Sequence, residues 1–442
     1  MDEGLLSRGS EGVEIATTTS YAALPPGHTE QPTAKSWRAC AVLAVSVLLS
    51  MSTWLSASVV LPYLEAYFRI DEDDAPLLTI SVQLGFVVCA VAQAIVQLPD
   101  RCNCRRLMCA GGLLAVAANL AMLACRAFWH ALVARFFTGV AMALIYPPST
   151  KVLATWFAAR RGFAMSFLVG AISPGSALPN LVKAMPGGAG LWESRRGFVL
   201  LTVVTTGLTL VGAVMPVALL GDGPFPFPKS TKFRASNLLK IARNGPGMLV
   251  IAAYCGHNWE LYGAWSSIPS FFAAGVFGTH AAAVLAFLAI TMGGVAAVVL
   301  GQCGDAYGRA KFCVACSLVS CACDVAVGLC GGAAPKAATA ALVLVWGFFL
   351  VPDSPQYSTL ITELFEPELV GTALVLTQAL GYVCTMPSIY LIPKLAEVPG
   401  VRWRWTFASL APGAALAVVC MLRLDASQRR EGRMALSTQE VA

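Results

Sequence analysis

The chain has 442 residues, 57% of them hydrophobic and only 12% charged, with a mean hydropathy of +0.69 and a formal net charge of +6. Soluble domains carry about a quarter charged residues, so a soluble enzyme is excluded and lipid must solvate most of this chain. No basic run interleaved with aromatics is present, so nucleic acid is not an expected partner.

Residues 1–36 are polar and aperiodic, and read as a disordered tail without the layout of a secretory signal. Within it, Tyr21 to Leu24 has the form of a tyrosine-based sorting signal, a pattern that arises often by chance. Apolar runs of about 20 residues, the length of a bilayer-spanning helix, then follow at 39–63, 77–98, 107–125, 132–152, 163–182 and 198–220. A polar connection with Pro224, Pro226, Pro228 and several basic residues interrupts the pattern. Six more runs occupy 248–272, 282–300, 312–330, 338–360, 370–392 and 405–422. Continuous runs, rather than short alternating ones, point to helices and not to a barrel. The organisation is therefore a tail (1–36), a six-helix bundle (37–220), a central loop (221–246), a second bundle (247–424) and a tail (425–442). Most of the 15 cysteines lie inside apolar runs and read as small hydrophobes. Cys102 and Cys104 have no second ligand pair and do not predict a metal site.

Basic residues concentrate on one set of loops: Arg101, Arg105 and Arg106, then Arg160 and Arg161, the central loop, Arg309 and Lys311, and the final tail. The opposite set holds Arg69 beside the acidic stretch Asp71 to Asp74 and a thinner basic scatter. Both termini are therefore expected in the cytoplasm, with the plasma membrane as host and a monomer as the working unit.

Two motifs recur about half a chain apart. Asp100-Arg101-Cys-Asn103-Cys-Arg105-Arg106 ends the second run, and Gly301-Gln-Cys-Gly-Asp305-Ala-Tyr-Gly308-Arg309 follows the eighth. Aligned on their aspartates, both put a turn-former three positions on, Asn103 and Gly308. Asn is the best non-glycine residue for left-handed backbone, which such a turn invites. Arg160-Arg161-Gly162 opens the fifth run, and Glu363 to Gly371 is expected to open the eleventh. Repetition in register argues for two homologous halves, as in many secondary transporters. These residues resemble the signature loop of the major facilitator superfamily, Gly-x-x-x-Asp-Arg-x-Gly-Arg-Arg. The second copy matches at Gly301, Asp305, Gly308 and Arg309, whereas Val96 replaces the leading glycine of the first. Arg135-Phe-Phe-Thr-Gly139 is similar to that family's fourth-span Arg-x-x-x-Gly. Gly256-His-Asn-Trp-Glu-Leu-Tyr-Gly-Ala-Trp265 and Asp353-Ser-Pro-Gln-Tyr-Ser358 resemble a bacterial-type branch of these permeases. The resemblance implies an all-α fold of twelve transmembrane helices in two pseudo-symmetric bundles, working by alternating access. The glycine spacing of the proton-antiporter signature is absent from Gly170 to Pro179, which argues against drug–proton exchange.

An ionisable residue at a span's centre costs about 2.5 to 3.5 kcal/mol on insertion scales, so it must be paired, wetted or functional. Arg135 either meets an anionic cargo or a proton site, or is tied to backbone carbonyls. His257 and Glu260 lie three residues apart on one helix face and could exchange a proton near neutral pH. Asp353 and Gln356 flank Pro355, which disturbs the helix; they could contact cargo or ion, or Asp353 could cap the following segment. Trp54 and Gln378 are further candidates for the pathway, and Asp324 is expected to face a neighbouring helix. Asp100, Arg101, Arg105, Gly301, Asp305, Gly308 and Arg309 are read as gate latches at the cytoplasmic face, changing partners between states. The expected activity is secondary transport of a small polar solute, an organic anion among the options, with protons as candidate partners. No cofactor, nucleotide-binding loop or catalytic constellation is present in the sequence. The alternative is a transport-inactive sensor on the same fold, which long signalling extensions would favour.

Overall fold

The computed structural model describes residues 31–71, 73–157, 160–185, 190–225, 236–274, 277–330 and 335–441. The tail pattern Tyr21 to Leu24, residues 226–235 of the central loop and the side chain of Asp100 lie outside the described residues.

Among the described residues the chain is helical, without strands. The first span is Ala34–Met51, continued after a break by Ser56–Val59 and Leu61–Phe68. Spans two to six are Leu77–Val96, Cys104–Ala121, Phe128–Ala154, Arg161–Lys183 and Arg195–Leu219. Spans seven to nine are Gly245–Ala274, Thr279–Val299 and Arg309–Cys330. The tenth is divided into Lys336–Phe349 and Ser354–Leu364; the eleventh is Pro367–Glu397 and the twelfth Ala411–Val441. Eleven of the twelve are long and apolar enough to cross a membrane by composition alone. The seventh has the length but falls short in hydropathy, because His257, Asn258, Trp259 and Glu260 sit in its middle. A helix so placed must satisfy those groups through its neighbours, since the bilayer core offers no water.

Helix pairing repeats with an offset of six. In the first bundle, span one packs on five and six, span four on two and three, and span three on six. In the second, span seven packs on eleven and twelve, span ten on eight and nine, and span nine on twelve. The bundles meet through span two against eleven and span five against eight, a pair of contacts that the same offset interchanges. At the second of these the backbones nearly touch: a Cβ on Gly294 would lie 2.2 Å from the Gly170 carbonyl oxygen. Small residues permit this approach, which is how helices gain dispersion where lipid offers no hydrophobic drive.

The structure corrects several local expectations. The first run is broken rather than continuous, and the tenth is divided as Pro355 predicts, but just before the proline. In the tenth, Pro355 falls in the first turn of Ser354–Leu364, where a missing N–H costs nothing. Asn103 does not take left-handed backbone; at φ −65° its side chain caps the third span, accepting from the N–H groups of Arg105 and Arg106. The left-handed residue nearby is Gln97, at φ 53°, which ends the second span. Glu363 closes the tenth span rather than opening the eleventh, which starts at Pro367. The central connection also carries a helix, Ser236–Arg243, and the twelfth span stays helical into the expected tail.

Gly294→Val should place methyl groups against the Gly170 backbone while leaving each bundle's own contacts intact. We expect a loss of about 1 to 3 kcal/mol, the usual range for overpacking, read as a lower Tm in detergent with normal membrane insertion. An unchanged Tm would contradict the close approach.

Candidate functional site

Among the described residues, three groups of buried polar side chains bear on function. The first is a knot at the break in span one. There the chain unwinds over Ser52 to Leu55, which releases backbone carbonyls. Arg135 of span four, 1% exposed, collects them. Its Nη1 donates to the Thr53 carbonyl at 2.8 Å and to Ser56 Oγ at 3.4 Å, and its Nε donates to the Leu78 carbonyl at 3.2 Å. Nη2 donates to the Trp54 carbonyl. All three guanidinium nitrogens are therefore occupied within the first bundle, by spans one and two. A planar fork with five donors suits this task better than an ammonium would.

The second group lies between the bundles. Trp54 and Phe86, from spans one and two, meet Tyr262 and Tyr382, from spans seven and eleven. Trp54 stacks on Tyr262 with centroids 5.9 Å apart, and Phe86 approaches Tyr382 to 4.4 Å. The two tyrosine hydroxyls are 3.0 Å apart, and Trp265 packs against Tyr262 at 5.6 Å. On the spans that form this box, polar atoms are buried without a hydrogen-bond partner: both amide atoms of Gln83 and the indole nitrogens of Trp54 and Trp265. Gln83 lies one turn from Phe86 on span two and is 0% exposed. Each unsatisfied buried group costs about 1 to 3 kcal/mol, so several in one place call for an explanation.

The third group is inside the second bundle, among spans seven, nine and ten. His257 Nε2 is 2.5 Å from Ser354 Oγ, and its Nδ1 is 3.2 Å from Asp353 Oδ1. Asp353 Oδ2 accepts from Ser317 Oγ at 3.2 Å and from the Tyr357 hydroxyl at 3.0 Å. Asp353 occupies the N-cap position of its helix but makes no capping bond, because its carboxylate is turned to these partners. Glu260 Oε1 accepts from Ser320 Oγ and from Trp346 Nε1, the latter at 3.4 Å. Asp324 neighbours Glu260, is 0% exposed, and neither of its oxygens has a hydrogen-bond partner. Three carboxylates and one imidazole thus share a dry space.

Sequence reasoning singled out His257, Glu260 and Asp353, and the structure brings them together. It places Arg135 in the other bundle and Trp54 in the aromatic box. Gln378 is half-buried on span eleven, one turn from Tyr382. Gln356, one turn from Asp353, faces the basic loops instead: its Oε1 accepts from Arg309 at 3.0 Å, and its Nε2 donates to the Gly301 carbonyl at 3.4 Å. Ser317, Ser320, Gln83 and Tyr382 were not anticipated. Ser317, Ser320 and Asp324 recur at three and four residues along span nine, a polar stripe that could have revealed their face.

The loop motifs differ between halves. In the second copy, Arg309 bridges Asp305 at 2.7 Å and Glu363 at 2.8 Å, tying the start of span nine to the end of span ten. Gly308, at φ +92°, makes the turn that only glycine accepts readily. Gly301 sits so close to span five that a Cβ would lie 2.6 Å from Ser166 Oγ. In the first copy, Arg105 donates to the Leu220 carbonyl and pairs with Asp222 at 2.7 Å, while Arg101 is exposed. Val96, at the leading-glycine position, is 45% exposed and makes no such close approach.

Two related six-helix bundles with buried charge and a polar seam between them define a multi-pass membrane protein of the transporter class. The profile of the Major Facilitator Superfamily matches residues 42–388, and the chain belongs to that family. Its fold is shared by solved structures at low identity. One is a D-xylose–proton symporter, with a TM-score of 0.70 and 17% identity over 88% of this chain and 97% of that one. Another is a bacterial homologue of the human lysosomal transporter Spinster in an inward-facing, unoccupied conformation. It gives a TM-score of 0.65 and 13% identity, over 90% and 96% of the two chains. A third is the major facilitator transporter FucP in the outward conformation, at a TM-score of 0.63 and 12% identity over 87% and 98%. No curated protein sequence matches the chain.

Arg135→Gln should leave released carbonyls of span one unpaired in a dry interior. Orphaned acceptors at about 1 to 3 kcal/mol each predict a large drop in Tm and poor recovery of folded protein. Arg135→Lys keeps the charge but not the fork and should fall in between. A stable Arg135→Gln protein would show that water already serves those carbonyls.

Proposed function

We propose that the protein is a secondary active transporter that carries a small polar solute by alternating access, with protons exchanged at the buried cluster of the second bundle. The observation that carries this reading is the company of Glu260, Asp324 and Asp353 around a single imidazole, His257. Burying an isolated ionised carboxylate is prohibitive, and neutralisation is the usual escape. Charge cannot therefore rest on all three carboxylates at once, and the cluster holds an exchangeable proton whose position belongs to the group as a whole. Its members ride on spans seven, nine and ten, and the first and last of these also touch the seam between bundles: Tyr262 belongs to span seven, and the second helix of span ten packs on span five. Gain or loss of the proton would alter the Asp353–His257 contact at the break in span ten and so shift the balance between states. Arg309 with Asp305, Gln356 and Glu363 would then act as a latch on the basic face, the side proposed as cytoplasmic from the excess of Lys and Arg in its loops.

Glu260→Gln and Asp353→Asn keep shape and remove a titratable group. In proteoliposomes each should still exchange cargo across the membrane but lose accumulation driven by an imposed pH gradient, by at least about tenfold, or 1.4 kcal/mol of coupling. Parental accumulation in both variants would make these carboxylates structural. The orientation is tested by tags placed before Ser36, after Arg430 and within the Asp71 to Asp74 loop. The first two should react only after the membrane is permeabilised, and the third without it.

A further inference from the structure

The seam between the bundles has a chemistry that selects cargo by charge. We propose that this site takes an uncharged solute, one that lays a ring face on Trp54, Tyr262 and Tyr382 and presents hydroxyl or amide groups to Gln83. The inference rests on the transport reading above and narrows its substrate.

Among the described residues, the buried or half-buried cations Arg135, Lys183 and Lys394 are all engaged by protein groups. Arg135 is the buried arginine nearest the box in sequence contacts, since it holds the carbonyl of Trp54 itself, and its three nitrogens are filled by carbonyls and Ser56. Lys183 donates to the Val59 carbonyl at 3.1 Å, and Lys394 pairs with Asp73 at 2.9 Å on the acidic-loop face. Freeing Arg135 for a carboxylate would orphan the carbonyls at the break in span one.

The negative charge is turned away as well. Glu260 and Tyr262 are two residues apart on one helix, about 200° around its axis. Tyr262 enters the box, while Glu260 reaches Ser320 and Trp346 on spans nine and ten. Asp353 is engaged by His257, Ser317 and Tyr357. A charged solute entering the seam would thus lose its hydration without gaining a counter-charge, which is a cost that low-dielectric sites do not repay.

What remains is neutral and matched to groups that both donate and accept. The Gln83 amide has one acceptor and two donor hydrogens, all unpartnered, and the indoles of Trp54 and Trp265 add two donors. A hydroxyl or amide can use both ends of the glutamine, whereas a carboxylate only accepts and would face the amide oxygen unfavourably. In this conformation the rings stack on one another across the seam, and the solute's face would replace one of those partners. The orphaned atoms are then the groups the solute completes.

The test is counterflow in proteoliposomes at clamped zero potential with three sets of probes. These are uncharged rings bearing hydroxyls (D-xylose, myo-inositol, uridine), organic anions (pyruvate, succinate) and an organic cation, choline. Exchange of an uncharged probe, abolished at least tenfold by Gln83→Leu, is the expected result. Gln83→Leu removes the orphaned amide, so its Tm should stay equal to the parent or rise, which separates lost binding from lost folding. Trp54→Phe keeps the ring, loses the N–H and should weaken exchange less. Exchange of the anions or of choline without the uncharged probes would overturn the inference while leaving the transport reading intact. Exchange of none of the three sets would count against both. Uncharged exchange that Gln83→Leu leaves untouched would also overturn the assigned site.

Discussion

The structure depends on one arrangement above others: a guanidinium holding backbone carbonyls where the first span unwinds. A bilayer core supplies no water, so a broken helix there survives only if something replaces its lost hydrogen bonds. Arg135 does so from span four, and in doing so binds spans one, two and four together. The break in turn sets Trp54 at the seam, where it meets rings of the second bundle. Anchoring by one arginine thus couples the internal rigidity of the first bundle to the surface it offers its partner.

The two bundles repeat the same pairings yet divide the work. The first carries its buried charge as a structural tie, complete in itself. The second carries four ionisable side chains in one space, incompletely satisfied, on helices that also reach the seam. Asymmetry extends to the loops. Glycine at position 301 allows spans five and eight to approach at the basic face, whereas Val96 is exposed at the matching point of span two.

Much of this was legible in the sequence, for identifiable reasons. Apolar runs of bilayer length and the recurrence of Asp-centred loops are local patterns, so span number and twofold repetition follow from them. His257 and Glu260 were visible because helical spacing alone puts them on one face. The roles of Arg135 and Gln356 were not, because each depends on which of several neighbours a long side chain reaches. Asn103 shows the same limit: its residue type allows both a left-handed turn and a helix cap, and the start of span three decides for the cap. Tyr382 looked like an ordinary span residue until the packing of span two on span eleven placed it against Phe86 at the seam, and Gln83 until its amide proved buried and unpartnered.

By itself the sequence determined the solvent of the protein, the helical answer to that solvent, the duplicated plan and the family. These rest on composition and on periodicities shorter than a helix turn or as long as half the chain, both of which a linear reading contains. Tertiary structure alone decided which charges are occupied and which polar atoms stay unsatisfied. Hydrogen-bond satisfaction is a property of contacts between helices distant in sequence, such as Arg135 with Thr53 or Glu260 with Ser320, and no local pattern encodes it.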